Sequence, residues 1–570
     1  MQMKERNTVL GKKKRSYKTP PPSRKKERSK KNSSRIHFVP DSNTKIKFWG
    51  AIALLLLIGL STRLHLANNS YFWQDEAETA IDTINLFSHG APMGTYRGLP
   101  IQYGWVGEKT DDPFFLFTHS NQDRNIQHGW LTFVLAGIGL AFEKSTLVMR
   151  LPFCFLFLFS GILLCILTLK IHNDPLVSFS AVALYAAFPK LAVYESRLRY
   201  YSPSIFIAIA TLVLLIREKD RVRDVALPLA LIASFHIHLP TFAALFVLYT
   251  YYEFQENKRF TNHYLLTVSL IVIQSYAFNM YTGWQLKHYL PFFNQLPVIW
   301  FKATYILILV CLFTLMVIAH KIRHLFTKFS LNHYWIFLIA ILPGFFLENV
   351  TFWLKLSYLI GLLLLLKTLK GTEKTWFIAY AIAILLIIPW AIRPQIRNII
   401  PAFPLLAAAG SAILLISMKK WRKRQPALNI FLVTTIVLVT FFGYYKSYSA
   451  PPLDNSSYLN ELIPELQKNI YADKKVFVEY NHFPLLFYTD IKQLYYIWNI
   501  NPEFFNSTKE TYFIVLEPPT NRKQWYYYYR NYPDLCRKYL RNPRFFLEYA
   551  GKHITSTKVL KSGAKIIRYN

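Results

Sequence analysis

The sequence predicts an α-helical, multi-pass membrane protein that ends in a small α/β domain outside the membrane. Of its 570 residues 53% are hydrophobic, and the apolar residues gather in long runs such as 151–169 and 427–445. A helix needs about 20 mostly apolar residues to cross roughly 30 Å of hydrocarbon. The net charge of +34 would suggest nucleic acid in a soluble protein. Here the charge is divided among a tail and several loops, so we predict no nucleic-acid partner.

Residues 1–47 form a separate region, which we predict to be a disordered basic tail in the cytosol. They hold 16 Lys or Arg residues against three acidic ones, with consecutive prolines at 20–22. Such a composition cannot bury enough apolar surface to fold. The tail either lies near anionic lipid, at about 1 kcal/mol per basic residue, or is a solvated segment that fixes topology. Its length and the lack of a small-residue cleavage site argue against a secretory signal peptide.

Basic residues in short loops face the cytosol, and this rule orients the predicted spans. The basic loops lie at 170–172, 217–223, 256–263, 321–328, 367–374 and 419–424. If all of them are cytosolic, there are about 13 spans, at 48–66, 150–170, 175–194, 203–216, 224–237, 240–253, 263–281, 298–319, 334–351, 353–366, 376–391, 399–417 and 427–446. The C-terminus is then outside. The apolar stretch 130–142 cannot span in this scheme, so it should lie along the outer membrane surface or re-enter from it.

The predicted organisation therefore has three parts. The tail 1–47 precedes a membrane domain over 48–446, whose first outer loop is 67–149, and an extracytoplasmic α/β domain over 447–570. In the last part, an amphipathic helix is predicted over 458–470 and strands over 476–480, 512–516 and 564–569. The aromatic run 525–529 either packs on the membrane domain, which we favour, or stacks on sugar rings.

The first outer loop opens with two acidic residues, Asp75 and Glu76. Apolar residues follow at 77, 80, 81, 84 and 87, a helical spacing that predicts an amphipathic surface helix starting at Asp75. Asp75 has two interpretations. It is the N-cap of this helix, with Glu78 completing a capping box, or it is a carboxylate that takes a proton from a hydroxyl or amine, or holds a metal ion.

Four further polar stretches fall on the predicted outer side. They contribute His128, then Glu195, Arg199 and Tyr201, then His238, and then Arg393 and Arg397. His128 could bind phosphate, assist proton transfer, ligate a metal or be a simple interfacial histidine. The arginines suit bidentate phosphate recognition or interfacial snorkelling beside aromatic residues. Five polar breaks on one membrane face predict a site for an anionic lipid head group and a nucleophilic acceptor.

These motifs, in this order, resemble those of the GT-C fold polyprenyl-phosphate-sugar glycosyltransferases, which include protein O-mannosyltransferases and lipid A aminoarabinose transferases. Asp75-Glu76-Ala77 resembles the acidic pair of their first loop. His128-Gly129-Trp130 and Arg150-Leu151-Pro152 resemble the end of that loop and the start of the next span. Residues 194–201 resemble the Ser-Arg-x-x-Arg-x-Tyr stretch, and 397–406 resemble Arg-Tyr-x-x-Pro-x-x-Pro-Leu-Leu, with Asn398 in place of Tyr. The likeness covers roughly 48–446.

The resemblance implies transfer of a sugar from a polyprenyl-phosphate donor to a glycan, lipid or protein acceptor outside the membrane, with inversion. Asp75 would be the general base, with Glu76 as a second catalytic residue. Arg199 and Arg397 would neutralise the departing phosphate. The remaining substrate-binding residues would be His128, Glu195, Tyr201, His238 and Arg393. The sequence contains no Gly-rich phosphate loop, which agrees with a donor that carries no nucleotide. No cofactor is implied with certainty, and a divalent metal ion at Asp75 is left open.

The main alternative is a transporter or lipid flippase, which would share the spans and the intramembrane charges. It would predict repeated halves, which the sequence does not show, and it needs neither a large outer loop nor an outer domain. A scaffold with a basic tail would leave the polar breaks unexplained. We favour a bacterial inner (plasma) membrane over the endoplasmic reticulum, with the N-terminus cytosolic and the C-terminus extracytoplasmic.

Overall fold

The structure is a computed structural model that describes residues 42–92, 95–97, 99–100, 129–217, 220–257, 260–277, 400–417, 425–450, 457–479, 482–496, 512–518 and 554–569. Apart from the start of the first helix, all described elements belong to one compact unit, Ile46–Asn570. The basic tail up to residue 41, the four predicted spans between 298 and 391, and the aromatic run 525–529 lie outside the described residues.

The first long helix is followed by the small elements of the first outer loop. Helix α1 covers Ser42–Asn68, α2 Gln74–His89, and α3 Leu131–Leu140; between α2 and α3, strands β1 (Thr95–Tyr96) and β2 (Leu99–Pro100) pair antiparallel. The ten residues of α3 make a helix of about 15 Å, half the thickness of a hydrocarbon core. Helix α3 is therefore too short to span, as the predicted topology requires.

The other apolar helices are α4 (Thr146–His172), α5 (Pro175–Ala187), α6 (Pro189–Glu195), α7 (Tyr201–Ile216), α8 (Arg221–Ile237), α9 (Leu239–Asn257), α10 (Asn262–Ala277), α11 (Phe403–Ser417, after the 3-10 turn Ile400–Ala402) and α12 (Pro426–Tyr448). Within the described residues, α1, α4 and α12 are long and apolar enough to cross a membrane by length and composition. Helices α5 and α6 would form a fourth span together. The protein is an integral membrane protein, and the number of about 13 spans stays a prediction.

The predicted span 175–194 is broken. Helices α5 and α6 meet at an angle of 66°, and the residue between them, Phe188, has extended backbone angles. Phe188 precedes Pro189, and a residue before proline is driven out of the helical region by the proline ring. The break therefore follows from one proline that the apolar pattern alone does not reveal.

Glycines allow the helices to approach closely. A Cβ added at Gly59 of α1 would lie 2.6 Å from the ring of Phe157 on α4, and one at Gly161 of α4 would lie 2.3 Å from Leu56. Gly443 of α12 packs closely against the end of α5. A Cβ added there would lie 2.3 Å from the carbonyl oxygen of Ala187. Small residues at contacts are typical of helix packing in membranes.

The C-terminal part is an α/β domain. Helix α13 (Leu459–Leu466) is followed by β3 (Lys475–Val478), α14 (His482–Tyr488), β4 (Gln493–Tyr496), β5 (Tyr512–Leu516), β6 (Ile554–Val559) and β7 (Lys565–Tyr569). The strands form one sheet in the order β4-β3-β5-β7-β6, with β3 parallel to both neighbours and β7 antiparallel to both of its own. The predicted strands correspond to β3, β5 and β7. The apolar face predicted for α13 is buried, at Leu459, Leu462, Ile463 and Leu466.

The C-terminal domain packs directly on the first outer loop. Phe72 before α2 and Ile81 within it belong to the same hydrophobic cluster as Phe487 of α14. The hydroxyl of Tyr488 accepts a hydrogen bond from the backbone N–H of Phe72 at 3.0 Å and forms another with the Thr146 hydroxyl at 2.5 Å. Burial of this hydroxyl raises the pKa of Tyr488. The domain is thus seated on α2, the helix that carries the candidate carboxylates.

Candidate functional site

Helix α2 begins earlier than the sequence predicts. Gln74 is its first residue, Trp73 is the N-cap, and the Glu76 carboxylate accepts from the backbone N–H of Trp73 at 3.4 Å. Asp75 therefore lies inside the first turn, so the interpretation of Asp75 as the N-cap, with Glu78 closing a capping box, is wrong. Acidic side chains in a first turn suit the positive end of the helix dipole, which explains why this helix can begin with two of them.

Glu76 is fully buried and pairs with Arg150, the arginine in the first turns of α4. Arg150 donates from Nε to Oε1 at 2.8 Å and from Nη2 to Oε2 at 2.5 Å, and the backbone N–H of Leu198 donates to Oε1 at 2.7 Å. The Nη1 of Arg150 also donates to the carbonyls of Ala67 and Ser70, at 2.6 and 2.8 Å. We call this the Glu76–Arg150 clamp. Both carboxylate oxygens of Glu76 accept hydrogen bonds in this clamp, and its catalytic role stays a prediction.

Asp75 lies on a different side of α2 and shares Arg199 with Glu78. The Nη2 of Arg199 is 3.5 Å from Oδ2 of Asp75, and its Nη1 is 3.5 Å from Oε2 of Glu78. Nη1 also donates to the Thr79 hydroxyl at 2.9 Å and to the Asp75 carbonyl at 3.0 Å. The Asp75 side chain is 11% exposed and that of Glu78 only 2%, so Asp75 is the more accessible carboxylate.

The charge of Arg199 is balanced by these two acids. Burial acts to lower the pKa of Arg199, but Asp75 and Glu78 outweigh it, and the pKa is raised above its ordinary value. Arg199 also lies 5.8 Å from the ring centroid of Tyr200. The guanidinium is therefore a fixed cation that orients the Asp75 carboxylate.

Glu195 does not reach this pair. It is fully buried and accepts from Nε and Nη2 of Arg63 at 2.8 and 2.5 Å, while the Tyr185 hydroxyl donates to its other oxygen at 2.5 Å. The Arg63 guanidinium also lies 3.5 Å from the ring centroid of Phe157. This contact joins α1 to α6 within the helical bundle. Both carboxylate oxygens of Glu195 accept hydrogen bonds inside the bundle, and its substrate contact stays a prediction.

The aromatic residues near Arg199 form a connected set, because the ring centroids of Tyr200 and Tyr201 lie 4.6 Å apart. His238 stacks on Tyr200, with ring centroids 4.4 Å apart and planes 9° apart, and its Nδ1 is 2.9 Å from the Thr241 hydroxyl. Tyr201 is 1% exposed and packs edge-on against Tyr194 at 4.8 Å. His238 therefore contacts residues 196–200, the segment between α6 and α7 that we call the Arg199 loop, whereas Tyr201 belongs to the core.

Gly129, the residue after His128 in sequence, lies against the end of α8. A Cβ at Gly129 would lie 2.1 Å from the carbonyl oxygen of His236, so only glycine fits at this contact. The predicted site residues His128, Arg393 and Arg397 lie outside the described residues.

Three contributors were not predicted as site residues: Glu78, Arg150 and Arg197. Arg197 donates to the Ser70 hydroxyl at 2.6 Å and lies 3.8 Å from Glu76. An arginine at the start of an apolar span, such as Arg150, is costly beside lipid and is itself a signal of a buried partner.

No metal-ligand set is found in the described part of the chain, where no three or more His, Cys, Asp or Glu side chains are grouped so that they could hold an ion. Asp75 and Glu78 both face the Arg199 guanidinium. We therefore derive no step through a metal.

Among known proteins, the chain is similar to solved structures only. No protein-family model matches the chain, and no curated protein matches it. Among solved structures, it is similar to ArnT from Cupriavidus metallidurans bound to undecaprenyl phosphate, with a TM-score of 0.46, and to apo ArnT from the same organism, with a TM-score of 0.43. In both cases the identity is 9%, and the overlap covers 91% of this chain and 98% of the other.

Proposed function

We propose that this protein is a membrane glycosyltransferase that moves a sugar from a polyprenyl-phosphate donor to a hydroxyl or amine of an acceptor at the outer membrane face. The observation that carries the proposal is the Asp75–Arg199 pair. It combines a mostly buried but still accessible carboxylate with a guanidinium 3.5 Å away, in a chain whose helices cross a membrane. A general base needs a defined orientation near the reacting proton, and Arg199 supplies that orientation.

In the proposed reaction, the acceptor oxygen or nitrogen attacks the anomeric carbon of the donor sugar. The acceptor's proton moves to the Asp75 carboxylate, and the bond between the anomeric carbon and the phosphate oxygen breaks. The lipid monophosphate leaves with the bonding electron pair, and a single displacement inverts the anomeric centre. A positioned general base contributes about 10²- to 10⁴-fold to such a rate.

Recognition of the donor phosphate needs cations other than Arg199. Arg199 already faces Asp75 and Glu78, so we assign it to positioning Asp75. We propose that Arg393 and Arg397 bind the phosphate, where a guanidinium provides bidentate geometry. Support comes from the buried turn Ile400–Ala402, which follows Arg397 closely in sequence and packs against α7, the helix that begins just after the Arg199 loop.

The experiment starts in cells with and without the protein, whose surface glycans are compared by mass spectrometry. Purified protein is then incubated in detergent with a lipid extract from the cells that lack it, without nucleotide sugars. We expect the missing glycan modification to identify the sugar and the corresponding lipid-phosphate sugar to be consumed. Identical glycans in both cell types, together with no consumption of any lipid-phosphate sugar, would contradict the proposal.

A further inference from the structure

A cleft lined by polar and apolar groups opens where the end of α1, the turn between α3 and α4, and the start of α13 meet. Its volume is about 590 Å³, within the range of about 300–1,000 Å³ that small-molecule sites occupy. It lies between the membrane helices and the C-terminal domain, because Asn68 ends α1 and Asn460 belongs to α13. The cleft is thus open to ligands on the side of the membrane that carries the C-terminal domain.

The lining groups indicate the chemistry of a ligand. They include the amides of Asn68 and Asn460, the Tyr71 ring, the Glu143 carboxylate and the hydroxyl of Ser145, the N-cap residue of α4, whose side chain makes no capping hydrogen bond. Amides and hydroxyls both donate and accept hydrogen bonds, as the closely spaced hydroxyls of a sugar do. An aromatic ring adds a flat amphipathic surface.

Two other ligand classes fit the cleft poorly. None of the residues that line it, all of which the structure describes, is Lys, Arg or His, so it lacks the cations that bind phosphate strongly. Only Leu147 and Val148 contribute aliphatic side chains, which is too little apolar surface for a lipid tail. The lining therefore favours a neutral, hydroxyl-rich ligand.

The Glu76–Arg150 clamp stands between this cleft and Asp75. Arg150 donates hydrogen bonds to the carbonyls of Ser70 and Tyr71, two residues that line the cleft. The same guanidinium donates to the Glu76 carboxylate. Asp75 precedes Glu76 on α2, at about 100° around the helix axis, and faces Arg199. The cleft is thus connected through the clamp to the helix that carries the Asp75–Arg199 pair.

We propose that this cleft is a saccharide-binding subsite that holds the glycan portion of the acceptor beside the reacting carboxylate. The acceptor assignment rests on the proposed function, whereas saccharide binding itself does not. Asn460 is exposed in the cleft, so a large side chain there should fill the cleft without disturbing the core.

The test is saturation-transfer difference NMR on the full chain in a detergent without a sugar head group. The probes are maltotriose, cellotriose and triacetylchitotriose. Asn460→Trp is compared with Val559→Trp, which adds the same ring at a 59% exposed position on β6 outside the cleft. We expect transfer to at least one probe in the wild type and in Val559→Trp, and a loss of tenfold or more in Asn460→Trp. No transfer to any probe, or equal transfer in both variants, would overturn the proposal.

A second arm separates acceptor from donor, using binding of the lipid-phosphate sugar identified in cells. If the cleft serves the acceptor, Asn460→Trp should bind this donor as the wild type does. Loss of donor binding in Asn460→Trp would show that the cleft holds the donor sugar and would overturn the acceptor assignment. Saccharide binding in a protein that transfers no sugar would contradict the proposed function and would leave the binding site standing.

Discussion

Arg150 holds Glu76 by two hydrogen bonds, at 2.8 and 2.5 Å, in a contact where both side chains are fully buried. The same two residues bind the carbonyls of Ala67 in the last turn of α1 and of Ser70 after it, and the backbone N–H of Leu198. The clamp therefore fixes α1, α2, α4 and the Arg199 loop relative to one another. Leu198 is next to Arg199 in sequence, so its hydrogen bond to Glu76 helps to place Arg199 beside Asp75.

Breaking the clamp should destabilise the fold. Removing one partner of a buried ion pair leaves the other charge without compensation, at a cost of about 3–5 kcal/mol. Glu76→Gln and Arg150→Met should therefore lose stability by about this amount, measured by denaturant or thermal unfolding in detergent. Asp473→Asn is the control, because Asp473 and Lys492 pair at 2.7 Å while about three-quarters exposed, and such pairs contribute little. A Glu76→Gln protein as stable as Asp473→Asn would contradict the structural role of the clamp.

Gly129 should not tolerate a side chain. In Gly129→Ala, the new Cβ would lie 2.1 Å from the His236 carbonyl oxygen, so the start of α3 and the end of α8 must separate. We expect a lower unfolding temperature. Gly50→Ala is the matched control on α1, where nothing lies within 4 Å of the added Cβ. It should be neutral or gain up to about 1 kcal/mol of helix propensity. Equal behaviour of the two variants would show that Gly129 is not held against α8.

The C-terminal domain should lose stability in acid. Burial acts to raise the pKa of Glu465, but hydrogen bonds from Lys468 and Lys558, at 2.6 and 2.7 Å, outweigh it and lower the pKa. The backbone N–H of Ser562 donates to Glu461 at 2.9 Å and lowers the pKa of that carboxyl. Both groups are therefore deprotonated more readily in the folded domain than in the unfolded chain.

The sign of the pH dependence follows from these lowered values. The contribution of both carboxylates is present above their ordinary pKa of about 4.5 and is lost as the pH falls through the lower folded pKa values. Thermal unfolding followed by near-ultraviolet circular dichroism should show a falling midpoint below about pH 4.5. The double variant Glu461→Gln, Glu465→Gln should show a flatter dependence. A midpoint that rises in acid would contradict this account.

Elements with a strong local pattern could be predicted from the sequence. The apolar spacing after Asp75 predicted α2 to within one residue of its observed start. The apolar face of α13 was predicted in the same way. Strand β6 was missed because it is an edge strand with mostly exposed side chains, which leaves no alternation of apolar and polar residues to detect.

The pairings within the candidate site could not be predicted in this way. Glu76 and Arg150 are 74 residues apart, and Glu195 and Arg63 are 132 apart, so no helical or strand period connects them. The sequence identified acidic and basic residues on one membrane face, and the structure assigns their partners. It places Glu76 and Glu195 in buried ion pairs and brings Glu78 beside Arg199.

Asp75 and Glu78 offer a matched pair of variants for the central claim. Each carboxylate lies 3.5 Å from Arg199, so Asp75→Asn and Glu78→Gln each remove one negative charge beside the same guanidinium. Neither residue is the N-cap of α2, so neither change removes a cap. If the carboxylates only balance Arg199, the two variants should behave alike. If Asp75 is the base, only Asp75→Asn should lose the proton acceptor.

The decisive measurement is the rate of sugar transfer from the lipid-phosphate donor by these two variants, compared at equal amounts of folded protein. We predict that Asp75→Asn loses about 10²-fold or more in turnover, the scale of a missing general base, while it still binds the donor. Glu78→Gln should keep turnover within about tenfold of the wild type, because the more accessible carboxylate is intact. Near-normal turnover in Asp75→Asn, or an equal loss in both variants, would contradict the assignment of Asp75 as the base.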